Sequence, residues 1–310
     1  MLMETAVPEV EGMVATSRRP WSARAAGAAR FLGQSLSQAA ELVRDRGRAH
    51  HLALAAHLAR FRSKQFLEKL SPRFRFHREA VFGNELEFFD YFDFITTFDI
   101  LFLSQEYRFL PRSLRPRIVD CGSNIGLSVL WFKHQFPDAT IVAFEPDPAA
   151  FAVLMRNVAR NRWSGVELRN EAVCASAGRK PFFYDPARPG SVLMSLRREC
   201  GLPGSEEVAG VRLSQFLPGE VDLLKLDVEG AEVEVVEDLA ANGCLPLVRA
   251  LVLEYHPLYF SGFQAFGSMT ALLEQHGFRW EVRSGALDGS TQVTVFAERS
   301  GTASELRRTN

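Results

Sequence analysis

Cysteine is scarce in this chain of 310 residues: there are four, Cys121, Cys174, Cys200 and Cys244. They lie far apart, with no CxxC pair and no nearby histidine, which argues against a disulfide framework or a zinc site and predicts free, buried thiols. Charge of one sign is also missing. The 36 Lys and Arg against 37 Asp and Glu leave a net charge of -1, so the chain as a whole has no pull toward nucleic acid or an anionic membrane. No apolar run approaches the roughly 20 residues needed to cross a bilayer. Glu4, Glu9 and Glu11 occupy the place where a secretory signal would carry its apolar core. The expectation is a cytoplasmic protein with no transmembrane segment, and no internal repeat is visible.

What is present is ordinary globular composition, 47% hydrophobic and 24% charged, enough for one large domain with an appendage. Residues 1–20 lack periodicity and are expected to be disordered. Residues 21–110 read as a helical and hairpin cap over the mouth of a cleft, and 301–310 as a polar tail. Two helices are expected between Trp21 and Leu70, where Leu42, Leu52, Leu54, Leu58 and Phe61 recur at helical spacing. Arginines in this stretch, such as Arg24, Arg30 and Arg44, could make weak peripheral contact with a membrane surface, although a solvated helix face is the plainer reading. Alternation around Gly83-Asn84 predicts a hairpin between Phe74 and Phe89. An aromatic helix over 91–103 should follow, with Phe89, Tyr91, Phe92, Phe94, Phe98 and Phe102 on one apolar stripe.

From residue 111 the character changes to short apolar runs alternating with amphipathic segments. Strands are predicted at 117–121, 140–145, 166–168, 223–227 and 250–255, and helices at 127–136, 148–161, 231–242 and 268–276. Two closing strands, 279–283 and 292–298, should form an antiparallel edge pair. This alternation is the signature of a parallel sheet covered by helices on both faces, and it marks 111–300 as one α/β domain.

The most informative stretch is Val119-Asp120-Cys121-Gly122-Ser123-Asn124-Ile125-Gly126, a strand running into a Gly-rich turn that opens a helix. Open α/β sheets bind ligands at the carboxyl ends of their strands, where such a turn lets a ligand approach the backbone. Glu145 follows Gly126 by about 20 residues, the place from which a carboxylate accepts both hydroxyls of a ribose. Asn124 stands where G-x-G-x-x-G has its middle glycine, the one that seats a pyrophosphate. A nucleoside without phosphates, such as S-adenosylmethionine, therefore fits better than NAD or FAD.

Asp227 ends the fourth predicted strand at the same rim. Its carboxylate could orient an acceptor, take its proton or offset cationic charge. Lys225 lies on the same strand face, and inside an apolar strand it needs a partner such as Asp227 or Glu229. Glu254 and His256 share a face at the end of the fifth strand, with His256 suited to proton transfer near neutral pH. Glu229 and Glu232 suit a helix N-terminus, and Glu229 is the one expected to face the site. No metal site is expected.

The run 118–126, then Ala143-Phe144-Glu145-Pro146-Asp147-Pro148, Asn157 and Asn161, Asn170-Glu171-Ala172-Val173, and above all Asp222-Leu223-Leu224-Lys225-Leu226-Asp227-Val228-Glu229-Gly230-Ala231-Glu232 resemble the FkbM family of class I S-adenosylmethionine-dependent methyltransferases. The matching segments extend over about 116–257. The resemblance implies a Rossmann-like, seven-stranded, mostly parallel sheet of order 3-2-1-4-5-7-6 with strand 7 antiparallel. It implies that Asp120, Gly122, Asn124 and Gly126, with Ser123 in the same turn, surround the methionine part of the cofactor. Glu145 would hold the ribose and Glu171-Ala172 would lie beside the adenine, with Pro146, Asp147 and Phe151 bordering the pocket, although Pro146 and Pro148 also suit the start of the next helix. The catalytic candidates are Asp227, His256, Glu254 and Lys225. The implied activity is O-methylation of a sugar, glycan or glycosylated polyketide-type metabolite. Two alternatives remain open: a catalytically silent S-adenosylmethionine-binding interaction subunit, and a nicotinamide-dependent oxidoreductase.

Overall fold

Strand β3 (Arg117–Cys121) is buried from Ile118 onward, as a strand covered on both faces requires. The same continuous burial holds along β9 (Val221–Leu226), where only Asp222 is partly exposed, and along all of β10 (Val248–Tyr255). These belong to a seven-stranded sheet in a computed structural model that describes residues 49–71, 73–217, 219–260, 263–285 and 292–299. The other members are β4 (Thr140–Phe144), β5 (Val166–Arg169), β11 (Phe278–Ser284) and β12 (Val293–Arg299). The order is β11-β12-β10-β9-β3-β4-β5. Pairings from β10 through β5 are parallel, and β12 runs antiparallel to both β10 and β11. Counted from the β5 edge, this is the expected order 3-2-1-4-5-7-6. Helices α3 (Leu127–Gln135), α4 (Pro148–Asn161), α5 (Glu232–Ala241) and α6 (Gln264–Gln275) connect the strands. The last begins four residues earlier than expected.

The chain divides into two compact units, residues 1–75 and 76–310. The hairpin and the aromatic helix, grouped above with an N-terminal cap, therefore fall in the same unit as the sheet. In the first unit α1 (Ala49–Leu70) buries Leu54, Leu58, Phe61 and Gln65 along one stripe, whereas Leu52 is exposed. The first of the two expected helices, the expected disorder over 1–20 and the 301–310 tail lie outside the described residues. Among described helices none is long and apolar enough to cross a membrane.

The hairpin comprises β1 (Arg78–Val81) and β2 (Asn84–Glu87), closed by Phe82-Gly83 with φ of 47° and 79°. The turn therefore sits one residue earlier than Gly83-Asn84. Positive φ at both positions is the I′ geometry that matches strand twist, and the Phe82 ring stacks on His134 at 4.4 Å. Helix α2 (Tyr91–Phe98) is capped by Asp90, which accepts from the Phe92 and Asp93 amides, and passes into a π-turn over Asp99–Leu103. Phe94, Phe98 and Phe102 are buried as expected, but Phe92 projects outward and is exposed.

Two asparagines fasten β2 to α4. Asn161 accepts from the Glu85 amide and donates to the Glu85 carbonyl. Asn157 does the same at Glu87 and also donates to the Ile125 carbonyl. The fit is geometric: four helical residues rise about 6 Å and two strand residues about 6.7 Å.

A second, three-stranded sheet was not anticipated. Strands β6 (Ala172–Val173), β7 (Gly178–Tyr184) and β8 (Gly204–Val211) pair in the order β6-β8-β7. β7 reads Gly-Arg-Lys-Pro-Phe-Phe-Tyr, with Phe182 its buried position. The central Pro181 is tolerated because β7 is an edge strand. All four cysteines are free, three of them buried and Cys200 partly so.

Candidate active site

The sheet carries its chemistry at the carboxyl ends of β3, β4, β9 and β10. After β3 the turn reverses tightly at Gly122, whose φ is +83° and where a Cβ would sit 1.8 Å from the Asp227 carbonyl oxygen. Only glycine fits there. Gly126, at φ +92°, caps α3, and a Cβ on it would meet Leu154 at 2.6 Å.

Glu145, at the end of β4, is 4% exposed. One carboxylate oxygen accepts from the Asn124 amide at 2.7 Å and the other from the Asp147 amide at 2.8 Å. Burial pushes its pKa up to about 8, against the two amides, which favour the anion. Asn170 ties the loop in place by donating to the carbonyls of Glu145 and Pro146.

A pocket opens beside this carboxylate. Its polar wall is made by Gly122, Asn124, Glu145, Glu171, Asp227 and Glu229. Phe144, Pro146, Ala172, Val173 and Val228 line it from the main domain, and Phe182, Val192, Met194 and Leu196, with Ser191, from the segment 182–196. The rest of the expected cofactor set lies behind this surface. Asp120 is wholly buried, accepting from the Ser128 hydroxyl at 2.6 Å and facing Lys225 at 3.6 Å. Ser123 donates to the Asp120 carbonyl. Asp147 accepts from the Ala149 and Ala150 amides at the start of α4, with Pro148 in the first turn. Phe151, on α4, is outside the lining.

The catalytic candidates converge. Lys225, 2% exposed, places Nζ 3.1 Å from Asp227 Oδ2 and donates to the carbonyls of Cys121 and Gly122. Burial opposes its charge, but Asp227 and Asp120 overcome that and raise its pKa. Lys225 therefore binds the Gly-rich turn to the end of β9 from beneath the pocket. Asp227 lines the pocket itself. Glu254 accepts hydrogen bonds from the Tyr107 hydroxyl and the Gln292 amide, and burial with the Asp227 charge lifts its pKa to about 7. His256 meets Glu232 through Nδ1 at 3.1 Å and Glu229 through Nε2 at 3.4 Å. Burial disfavours the imidazolium, but the Glu232 hydrogen bond and the charges of Glu229, Glu232 and Asp227 prevail and carry it up to about 10. His256 is thereby held toward its protonated form, suited to donating a proton or offsetting charge.

Glu232 does more than suit a helix dipole. Wholly buried, it accepts from the Val228 and Gly230 amides and orients His256. Asp227, Glu229 and His256 each offer one ligand atom within 4.8 Å of the others, a spacing that could hold a divalent cation. Sequence reasoning did not anticipate the 182–196 wall, Gln292 or the role of Tyr107.

A seven-stranded sheet of this order, with a Gly-rich turn after one central strand and an acid after the next, defines the Rossmann-like methyltransferase architecture. The chain belongs to the FkbM methyltransferase family, whose model, Methyltransferase FkbM domain, matches residues 120–280. Methyltransferase sdnD of Sordaria araneosa is 35% identical over 196 residues, covering 53% of this chain and 73% of that one. The 31-O-demethyl-FK506 methyltransferase FkbM of Streptomyces tacrolimicus is 31% identical over 223 residues, 60% of this chain and 82% of its own length. Among solved structures, methyltransferase FkbM from Methylobacillus flagellatus aligns over 85% of this chain and 59% of that chain, at 12% identity and a TM-score of 0.45.

Proposed function

We propose that this methyltransferase uses S-adenosylmethionine to methylate a hydroxyl of a sugar, glycan or glycosylated polyketide-type metabolite. The observation that carries the reading is the pairing of Glu145 with Asp227 and Glu229 on one pocket, flanking the Gly-rich turn. Glu145 offers a carboxylate to ribose hydroxyls, and the apolar side chains of Phe144, Val173 and Phe182 suit an adenine. The same polar wall carries the Asp227 and Glu229 carboxyls, whose negative charge favours a sulfonium. The donor set therefore fits the cofactor, which supplies an already activated methyl group.

The chain's remaining task is to hold an acceptor hydroxyl in line and take its proton. Asp227 is the candidate on the pocket surface, held in place by Lys225. His256 and Glu254 lie behind it and set the local charge. Direction toward oxygen draws support from the Streptomyces tacrolimicus relative, whose name specifies a 31-O-demethyl acceptor.

The test is calorimetric titration with S-adenosylmethionine and, separately, NADH, followed by methyl transfer to a panel of sugar and polyketide hydroxyls. The expected result is binding of S-adenosylmethionine alone, lost in Glu145→Ala. Asp227→Asn should keep cofactor binding and lose turnover. NADH binding in place of S-adenosylmethionine would overturn the reading.

A further inference from the structure

The other end of the sheet, where β3, β9 and β10 begin and β12 ends, contains a cleft of about 370 Å³. That volume lies within the range of small-molecule sites. Five arginines line it, Arg112, Arg115, Arg117, Arg249 and Arg299, against two acids, Glu220 and Asp222.

Most of these charges can be assigned partners. Arg112 meets Glu220 at 2.6 Å, and Arg115 reaches Asp138 at 3.7 Å. Arg249, 5% exposed, lies between Asp222 at 3.9 Å and Glu298 at 3.4 Å, yet its Nε and Nη1 make no hydrogen bond among the described residues. Asp222 is already engaged, because its other oxygen accepts from the Arg117 amide at 2.9 Å.

Two guanidinium groups then face no carboxylate among the described residues. That of Arg117 makes neither a hydrogen bond nor an ion pair with them, and Arg299 donates to the Pro246 carbonyl. Their strands are three places apart in the order β12-β10-β9-β3, so their backbones stand roughly 14 Å apart at about 4.8 Å per strand. Two long side chains reaching inward across that gap suit an extended anion with two charged centres better than a single phosphate. Guanidinium forks match phosphate oxygens in geometry as well as charge.

We propose that this cleft binds the diphosphate group of a small phosphorylated ligand, at a site separate from the methyl-transfer pocket. The pocket lies at the carboxyl ends of the strands and the cleft at the opposite ends, with no lining residue in common.

Calorimetric titration of the full chain with inorganic pyrophosphate at low salt tests this. Saturable one-to-one binding is expected, weakened at least tenfold in Arg117→Gln and in Arg299→Gln and partly restored in Arg117→Lys. Circular dichroism should stay unchanged in both glutamine variants, and the melting temperature unchanged in Arg117→Gln, with only a small loss in Arg299→Gln from the Pro246 hydrogen bond. Uridine diphosphate bound more tightly than pyrophosphate would point to a nucleotide, and the reverse order to a free oligophosphate; both keep the proposal. Absence of saturable binding, or equal affinity in both glutamine variants, would overturn it. So would attachment to phosphatidylglycerol vesicles without pyrophosphate binding, which would make the arginines a membrane-facing patch.

Discussion

The two ends of the central sheet carry opposite charge. At the carboxyl end Asp120, Asp227, Glu229, Glu232 and Glu254 outnumber Lys225 and His256; most of them are buried, in three neighbouring clusters built on Lys225, His256 and Glu254. At the other end arginines predominate around an open cleft. A net charge of -1 hides this polarity because it sums across the two ends. The groups also differ in what they do: buried acids fix a turn, a strand end and a histidine, whereas the cleft arginines, buried Arg249 and exposed Arg117 among them, leave donors uncommitted among the described residues. Perturbing the acidic end should therefore disturb both fold and site, and perturbing the basic end should spare the fold.

The largest effect is expected at Gly122. Gly122→Ala puts a Cβ against the Asp227 carbonyl at a backbone angle that disfavours a side chain. It should cost about 3 kcal/mol or more and abolish S-adenosylmethionine binding, measured by denaturant melts and calorimetry. Lys225→Met should cost about 3–5 kcal/mol, because it strands the buried Asp120 carboxylate. Adding Asp120→Asn should recover part of that in a double-mutant cycle, and strict additivity would break the network account.

Asn157→Ala should lose about 1–3 kcal/mol by leaving the Glu87 amide and carbonyl without partners. A melting temperature equal to the parent's would show that water replaces them. The pH dependence of cofactor affinity probes Glu145. Its raised pKa keeps a proton on the empty-site carboxyl at neutral pH, whereas ribose hydroxyls donate to the anion. Affinity should therefore rise by roughly 25-fold between pH 6.5 and 8.5 and level off above, while Glu145→Gln should lose most of that rise. At the basic end, Arg112→Ala removes an exposed ion pair and should change stability by less than about 0.5 kcal/mol.

The main sheet was legible because its central strands are near-continuous apolar runs and its helices alternate with them, α4 with a clear cap in Asp147 before Pro148. Glu145 and Asp227 were legible for the same reason, since the residue that follows a parallel strand stands at the ligand-binding rim by topology alone. The three-stranded sheet was not, because β7 carries Arg179, Lys180 and Pro181 and buries Phe182 alone in full. Local pattern is weak in such a strand, and the pairing with β8 is long-range. The wall from residues 182–196 follows from that pairing and was hidden with it. Asp120 and Lys225 were placed on the right strands, but only packing shows that they sit beneath the pocket surface rather than in it.

The asparagine clamp has a consequence for how copies of the chain meet. A two-stranded hairpin leaves outward main-chain groups that invite another strand, the usual beginning of edge-to-edge aggregation. Asn157 and Asn161 occupy those groups on β2 from a helix that offers no further edge. The pair therefore acts as a terminator, closing the ladder with side-chain amides where an intruding strand would otherwise extend it.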